Sequence, residues 1–157
     1  MLWAPYLFGE RTPHLDPEAR AAFVGLTASH TRAHCVRAVM EGVAFSLRDT
    51  LTLFAELGIP VEGIRLGGGG ARGPLWRQIQ ADVYGRPVEL LAAEEGGAFG
   101  AALLAGVSVG VWPTVEAACA ATVRVAETIE PKDAVAMDEA YQRFRRVYPA
   151  LREIGRK

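Results

Sequence analysis

Apolar residues recur at steps of three and four over residues 31–57, and this spacing predicts one long helix. They form a single stripe, which consists of Val36, Met40, Val43, Leu47, Leu51 and Phe54. Ser29 or Thr31 is suited to cap the start, because a hydroxyl accepts a hydrogen bond from the first turn. Gly58, followed shortly by Pro60, is a typical helix end.

One glycine, Gly42, falls inside this predicted helix. A glycine in a helix interior costs about 1 kcal/mol relative to alanine. We interpret Gly42 as a structural residue that marks the close approach of another backbone segment.

A second pattern, over residues 63–105, alternates short apolar runs with helical stretches. It predicts a strand at 63–66, a helix at 74–84, a strand at 87–91 and a helix that opens at Glu94–Gly97 and continues through Ala105. Glycine-rich segments follow both strands. The order strand, helix, strand, helix is typical of an α/β fold with a parallel strand pair.

The two ends of the chain are less regular in pattern. Pro13 and Pro17 break any helix near the start, so residues 1–29 are expected to be an irregular lead-in. Towards the other end the pattern predicts a short helix over 114–120, an extended or irregular segment over 122–129 and a last helix over 133–151. The strands are too few for an α/β domain of this length, which suggests further sequence upstream.

Composition excludes several classes of function. The chain has 157 residues, half of them hydrophobic, and a formal net charge of -1, so it fits one globular domain without the basic surface of a nucleic-acid or membrane binder. No apolar run is long enough to span a bilayer, and residues 1–6 contain no basic n-region, so they are not expected to form a signal peptide. Cys35 and Cys119 match no metal spacing and are expected to be buried free thiols in a reducing cytoplasm.

The run Gly67–Gly70 is the strongest candidate for a binding site. Glycines let a ligand lie directly on the backbone, and the unpaired N–H groups of the following helix favour phosphate. The run also follows a strand, where open α/β sheets bind ligands. These features predict a nucleotide site.

The class of nucleotide is open at this point. The loop lacks the Lys-Ser/Thr pair of a Walker A motif, whereas Gly68, Gly70 and Gly73 fit the G-x-G-x-x-G dinucleotide pattern. Glu89 follows the loop at about the sequence separation of the ribose-binding acid in that pattern, but it falls inside the second strand and not at its carboxyl end. An NAD-type dinucleotide site therefore remains an alternative.

Three segments resemble the FGGY carbohydrate kinases, and within that family the xylulokinases. They are residues 5–17 (PYLFGERTPHLDP), residues 21–41 with Gly25-Leu26-Thr27 and Met40-Glu41, and residues 68–82 with Trp76-Arg77-Gln78. Cys35 departs from the aliphatic residue that is usual there. The resemblance covers nearly the whole chain.

The resemblance implies an actin-like fold of two ribonuclease-H-like domains, with ATP and sugar meeting in the cleft between them. The chain would be a single partial domain, 1–157, similar to the later part of the second domain, with a lead-in (1–29), a long helix (30–58), a βαβα nucleotide region (63–106) and C-terminal helices (112–157). ATP would lie on the nucleotide-binding residues Gly68, Gly69, Gly70, Ala71, Arg72 and Pro74. Mg²⁺ is implied as well, with ligands mostly outside this chain.

The resemblance also identifies what the chain lacks. The catalytic base of the family is an aspartate upstream of these segments, and none of Asp16, Asp49 and Asp82 matches it. We therefore expect the chain alone to be inactive, with no catalytic residue of its own. The alternative is a non-catalytic nucleotide-binding or oligomerisation module derived from this fold.

Other polar residues have weaker functional interpretations. Glu10 and Arg11 are candidates for the substrate side of the cleft, or for a pair that fixes their loop. His30 and His34 have helical i, i+4 spacing that can bind metal, but His30 falls at or before the helix start. An incomplete sheet exposes an edge and an apolar face. We expect these to be covered in a homodimer or larger assembly through the N-terminal region, or by docking to the missing kinase half.

Overall fold

Six helices and two small sheets make up the part of the chain that the structure, a computed structural model, describes, residues 1–92 and 96–155. The strands are β1 Leu2–Ala4, β2 Ala22–Val24, β3 Arg65–Leu66, β4 Val88–Leu91 and β5 Val125–Ile129. The helices are α1 Arg32–Glu56, α2 Pro74–Tyr84, α3 Gly97–Ser108, α4 Val115–Thr122, α5 Ala134–Phe144 and α6 Val147–Gly155, and a 3₁₀ turn spans Gly69–Arg72. The α/β class predicted from the sequence is confirmed.

Helix α1 has the predicted bounds, but its buried face is not the apolar stripe that predicts it. Thr31 is its N-cap, and the Thr31 N–H donates to Nδ1 of His34 at 3.1 Å. The buried residues are Ala38, Gly42, Ala44, Phe45 and Asp49. The predicted apolar stripe lies on the opposite side of the helix and is largely exposed to solvent, with Val36 55% and Leu47 46% exposed. Helix α1 therefore has apolar residues on two sides, and the described residues cover one of them.

The start of the chain is more ordered than an irregular lead-in. Strands β1 and β2 pair antiparallel, with Trp3 opposite Phe23. The partners are separated by about twenty residues, so no local periodicity reveals the pairing. Strand β1 lies across α1 at Gly42, where an added Cβ would be 2.2 Å from the carbonyl oxygen of Trp3. This contact confirms the interpretation of Gly42 as a point of close backbone approach.

The second sheet has the order β3-β4-β5. Strands β3 and β4 are parallel, as predicted. Strand β5 pairs antiparallel with β4 and lies within residues 122–129, for which the sequence pattern allows either an extended or an irregular conformation. Helix α2 connects β3 to β4 with the predicted bounds, and Gly85 ends it in the left-handed conformation, with φ 64°. The predicted helix after β4 begins at Gly97, and Glu94 and Glu95 lie outside the described residues.

The single last helix predicted over 133–151 is wrong, because the segment forms two helices, α5 and α6. Pro149 supplies the reason. It has no N–H and its ring clashes with the carbonyl four residues earlier, so one continuous helix is disfavoured there. In α6, Pro149 falls in the first turn, where a missing N–H costs nothing.

The core joins α1, α2, β1 and the last two helices. Its larger buried side chains include Phe45, Ile79, Val83, Tyr141 and Phe144. The two cysteines are free, as expected, but they are half-buried rather than buried.

Candidate functional site: the glycine turn

The glycine run forms a tight turn between β3 and α2. The N–H of Ala71 donates to the carbonyl of Gly68 at 3.1 Å, and the N–H of Gly73 donates to the carbonyl of Gly70 at 3.3 Å. Gly68 has φ 71°, a conformation that favours glycine. The turn thus sits at the carboxyl end of β3, where a ligand site was predicted.

Most of the glycines in this run face open space. A Cβ added at Gly67, Gly68 or Gly69 would meet no heavy atom within 4 Å, and Gly68 alone among these three has a positive φ. Folding therefore gives no reason for glycine at positions 67 and 69. A backbone bare of side chains on an exposed surface does suit a ligand that lies flat against it.

The start of α2 adds an electrostatic feature to this surface. Pro74 is the first helical residue, and the N-cap Gly73 offers no side chain to the first turn. Unpaired N–H groups at a helix start carry partial positive charge and favour anions. Arg72 and Pro74 are exposed beside the turn, whereas Ala71 is half-buried.

The underside of the turn is packed by α2. The Trp76 side chain is partly buried against the core, and its Nε1 would lie 3.3 Å from a Cβ at Gly70. Trp76 therefore supports the turn from beneath. Arg77 contacts the turn from the side, because its Nε–H donates to the carbonyl of Ala71.

Residues 1–109 match the model of the FGGY family of carbohydrate kinases, C-terminal domain. The chain belongs to this family. It is 38% identical over 151 residues to a xylulose kinase of Staphylococcus epidermidis, and this alignment covers 96% of this chain and 30% of that protein.

Solved structures of family kinases have the same fold. A xylulose kinase from Rhodospirillum rubrum matches with a TM-score of 0.85 and 34% identity, over 99% of this chain and 31% of that one. A glycerol kinase from Plasmodium falciparum with ADP matches with a TM-score of 0.80 and 25% identity, over 96% of this chain and 30% of that one. The FGGY chain described here thus spans about 30% of the length of these kinases.

Three aspartates of this FGGY chain, Asp16, Asp49 and Asp82, hold loops and helices in place. Asp49 is buried and accepts a hydrogen bond from the Tyr141 hydroxyl at 2.6 Å, and burial raises its pKa. Asp82 is buried and accepts from the backbone N–H groups of Lys132 and Asp133, at 2.6 and 3.2 Å. Asp16 accepts from the Tyr148 hydroxyl at 2.8 Å, which lowers the pKa of Asp16.

Glu10 and Arg11 belong to the loop between β1 and β2. The two carboxylate oxygens of Glu10 accept the N–H groups of Thr12 and His14 at 2.8 and 2.7 Å. Glu10 therefore organises its own loop through the backbone. Arg11 is exposed to solvent.

The two histidines with helical spacing serve as local caps. Nδ1 of His30 accepts the N–H of Thr27 at 3.0 Å, and Nδ1 of His34 accepts the N–H of Thr31.

Across residues 1–92 and 96–155 there is no group of three or more His, Cys, Asp or Glu side chains placed to hold a metal ion. In the same residues, no helix combines the length and apolar character that crossing a bilayer requires.

The tertiary structure adds features that local sequence patterns did not indicate. The hydroxyl of Tyr141, on α5, forms hydrogen bonds with Asp49 and Thr52 of α1, although Tyr141 lies about ninety positions after both of them. A cavity of about 860 Å³ lies between the loop after β1 and α6, away from the glycine turn, and is lined in part by His14 and Tyr148. The four glycines of the turn, Gly67–Gly70, are by contrast exposed to solvent.

Proposed function

We propose that this chain is the ATP-binding part of a sugar kinase of the FGGY family, with D-xylulose as the leading substrate. The observation that carries the proposal is the presence of glycine at positions 67 and 69. A Cβ at either position would face open space, so no feature of the fold requires glycine there. Family membership and the match to an ADP-bound glycerol kinase support ATP as the occupant.

The residues at the turn fit a nucleotide. In this proposal the adenosine end of ATP lies on the backbone of Gly68, Gly69, Gly70 and Ala71, and Arg72 and Pro74 flank it. Bound ATP supplies the phosphoryl group that a sugar hydroxyl accepts in this class of reaction. Mg²⁺ has no set of ligands among the described residues, so we derive no step through it.

The proposal assigns no catalytic residue to this chain. A general base must reach the sugar hydroxyl. Asp16, Asp49 and Asp82 are each engaged in hydrogen bonds that hold loops or helices in place. Their roles support the view that the base, and most residues that read the sugar, belong to the part of the kinase outside this chain.

A titration and a turnover assay test this proposal together. We expect isothermal calorimetry to detect ATP binding to the purified chain, and a coupled assay with ATP, Mg²⁺ and D-xylulose to detect no turnover above background. Turnover by the chain alone would overturn the assignment of the base to the missing part. NAD⁺ is the matched control ligand, and preference for NAD⁺ over ATP would favour the dinucleotide alternative.

The exposed stripe of α1 supports a further part of the proposal, which concerns a partner. Val36, Val43, Leu47 and Phe54 are all exposed and lie on the helix side opposite the core. Contiguous exposed apolar surface on a helix is typical of a contact site. Because the chain spans about 30% of its relatives, we propose that the rest of a family kinase chain covers this stripe, rather than a second copy of this chain.

A charge placed in the stripe tests this partner. We expect the chain to bind a Staphylococcus epidermidis xylulose kinase that lacks the matching region, and Leu47→Glu to weaken that binding at least about tenfold, because a buried unpaired carboxylate is costly. Val135→Glu is the control, since Val135 is 79% exposed and lies on a different helix. Light scattering that shows a dimer of the chain, abolished by Leu47→Glu, would instead favour the second copy.

A further inference from the structure

One side chain, Arg77, joins the glycine turn to two other elements. Arg77 lies in the first turn of α2, and its Nε–H donates to the carbonyl of Ala71. Its Nη1 lies 3.3 Å from Oε2 of Glu127 on β5. Its backbone N–H also donates to the carbonyl of Gly73 at 3.1 Å. The turn is thereby linked both to the helix that follows it and to the far strand of the sheet.

The turn has a particular need for such a link. Glycine loses more backbone freedom on ordering than any other residue, and the four glycines at 67–70 are all exposed. A ligand that binds a disordered loop must offset this ordering cost, whereas a loop that is already ordered binds more tightly. Contacts that fix the turn before the ligand arrives therefore contribute to affinity.

The contact to Ala71 fixes a defined part of the turn. The peptide group is planar and trans, so the carbonyl of Ala71 and the N–H of Arg72 point in opposite directions. Holding the Ala71 carbonyl towards the Arg77 guanidinium thus sets the orientation of the whole peptide group between Ala71 and Arg72. This peptide group belongs to the proposed nucleotide surface.

The guanidinium is well suited to hold that carbonyl. It is planar and permanently charged, it donates along several directions at once, and its hydrogen bonds are stronger than neutral ones. The Arg77 side chain is 23% exposed, and its second contact, to Glu127, restrains the side chain on the side away from the turn. Trp76, the preceding residue, supports Gly70 from below. Helix α2 therefore holds the turn at two separate points.

We infer that Arg77 is a positioning residue for nucleotide binding, which orders the turn through the Ala71 carbonyl without contacting the nucleotide itself. The inference rests on the ATP site proposed above. It predicts that loss of the guanidinium loosens the turn and weakens ATP binding, while the rest of the domain keeps its fold.

Amide hydrogen exchange and ATP titration of the whole chain test the inference. Arg77→Met keeps the apolar stem and removes every donor of the side chain. We expect the Ala71 and Gly73 amides to exchange about tenfold faster in this variant, and ATP to bind about tenfold more weakly, as for loss of one charge-assisted hydrogen bond. The exchange rate of the Val83 amide and the urea midpoint should change no more than they do in the Arg65→Gln control, which also loses an arginine–glutamate pair. Arg77→Lys should restore part of both effects, because an ammonium still donates to the carbonyl.

The control is Arg65→Gln. Arg65 pairs with Glu89 at 3.2 Å in the same sheet, so the variant also loses an arginine–glutamate pair, but one that joins β3 to β4 and not the turn. Its exchange rates at Ala71 and Gly73 should match the wild type. Unchanged exchange at these two amides in Arg77→Met would overturn the inference, and so would faster exchange with unchanged ATP affinity. If the wild-type chain binds no ATP, the proposed function fails, and the exchange rates still decide whether Arg77 orders the turn.

Discussion

Gly42→Ala is expected to lower the free energy of unfolding by at least about 2 kcal/mol, because a buried backbone contact leaves no room for the new methyl group. The added Cβ would lie 2.2 Å from the carbonyl oxygen of Trp3, and this atom is part of a strand and not the end of a flexible side chain. Strand β1 must therefore move away from α1, which strains its pairing with β2. Urea denaturation followed by circular dichroism measures the change.

Gly100→Ala is the matched control for this substitution. Gly100 also lies in a helix, α3, but an added Cβ there meets no atom within 4 Å. Alanine is the better helix former, so this variant should gain about 0.5–1 kcal/mol. Equal stability of the Gly42→Ala variant and the wild type would show that α1 and β1 do not pack as closely as the structure indicates.

Gly69→Val is expected to weaken ATP binding by at least about tenfold, which corresponds to about 1.4 kcal/mol, while the fold is unaffected. No protein atom lies within 4 Å of a Cβ at this position, and its φ is not in the left-handed region, so the branched side chain projects where the nucleotide is proposed to lie. Isothermal calorimetry with ATP measures the affinity, and thermal unfolding checks the fold.

The choice of Gly69 follows from the structure. A valine at Gly70 would press on Trp76, whose Nε1 would lie 3.3 Å from the new Cβ, so lost affinity there would have two causes. Gly100→Ala again serves as a glycine substitution remote in sequence from the turn. Full ATP affinity in Gly69→Val would remove the turn from the nucleotide site.

Local chemistry made much of the fold predictable. Helix α2 begins at Pro74 and ends before Gly85 because the first residue suits a helix start and the second adopts a left-handed end. The parallel pair of β3 and β4 follows from the helix between them. The same kind of argument failed at Pro149, where a helical pattern continues but the proline favours a new helix start.

The candidate site was likewise predictable from the sequence only in part. The glycine run, its position after a strand and its resemblance to the family's nucleotide loop could all be read from neighbouring residues. The contacts that support the turn were less visible. Glu127 is fifty residues from Arg77 and reaches it only because β5 joins the sheet beside β4.

The sequence by itself determined the α/β class, the long helix, the glycine turn and the family resemblance, because each depends on residues close together in the chain. Only the tertiary structure decided which side of α1 is buried, because apolar residues lie on two of its faces and packing against β1 and α2 chooses one. The tertiary structure also gave Asp49 and Asp82 their structural roles, through hydrogen bonds to partners fifty or more residues away. Such contacts depend on how elements assemble, and no local pattern of side chains encodes that assembly.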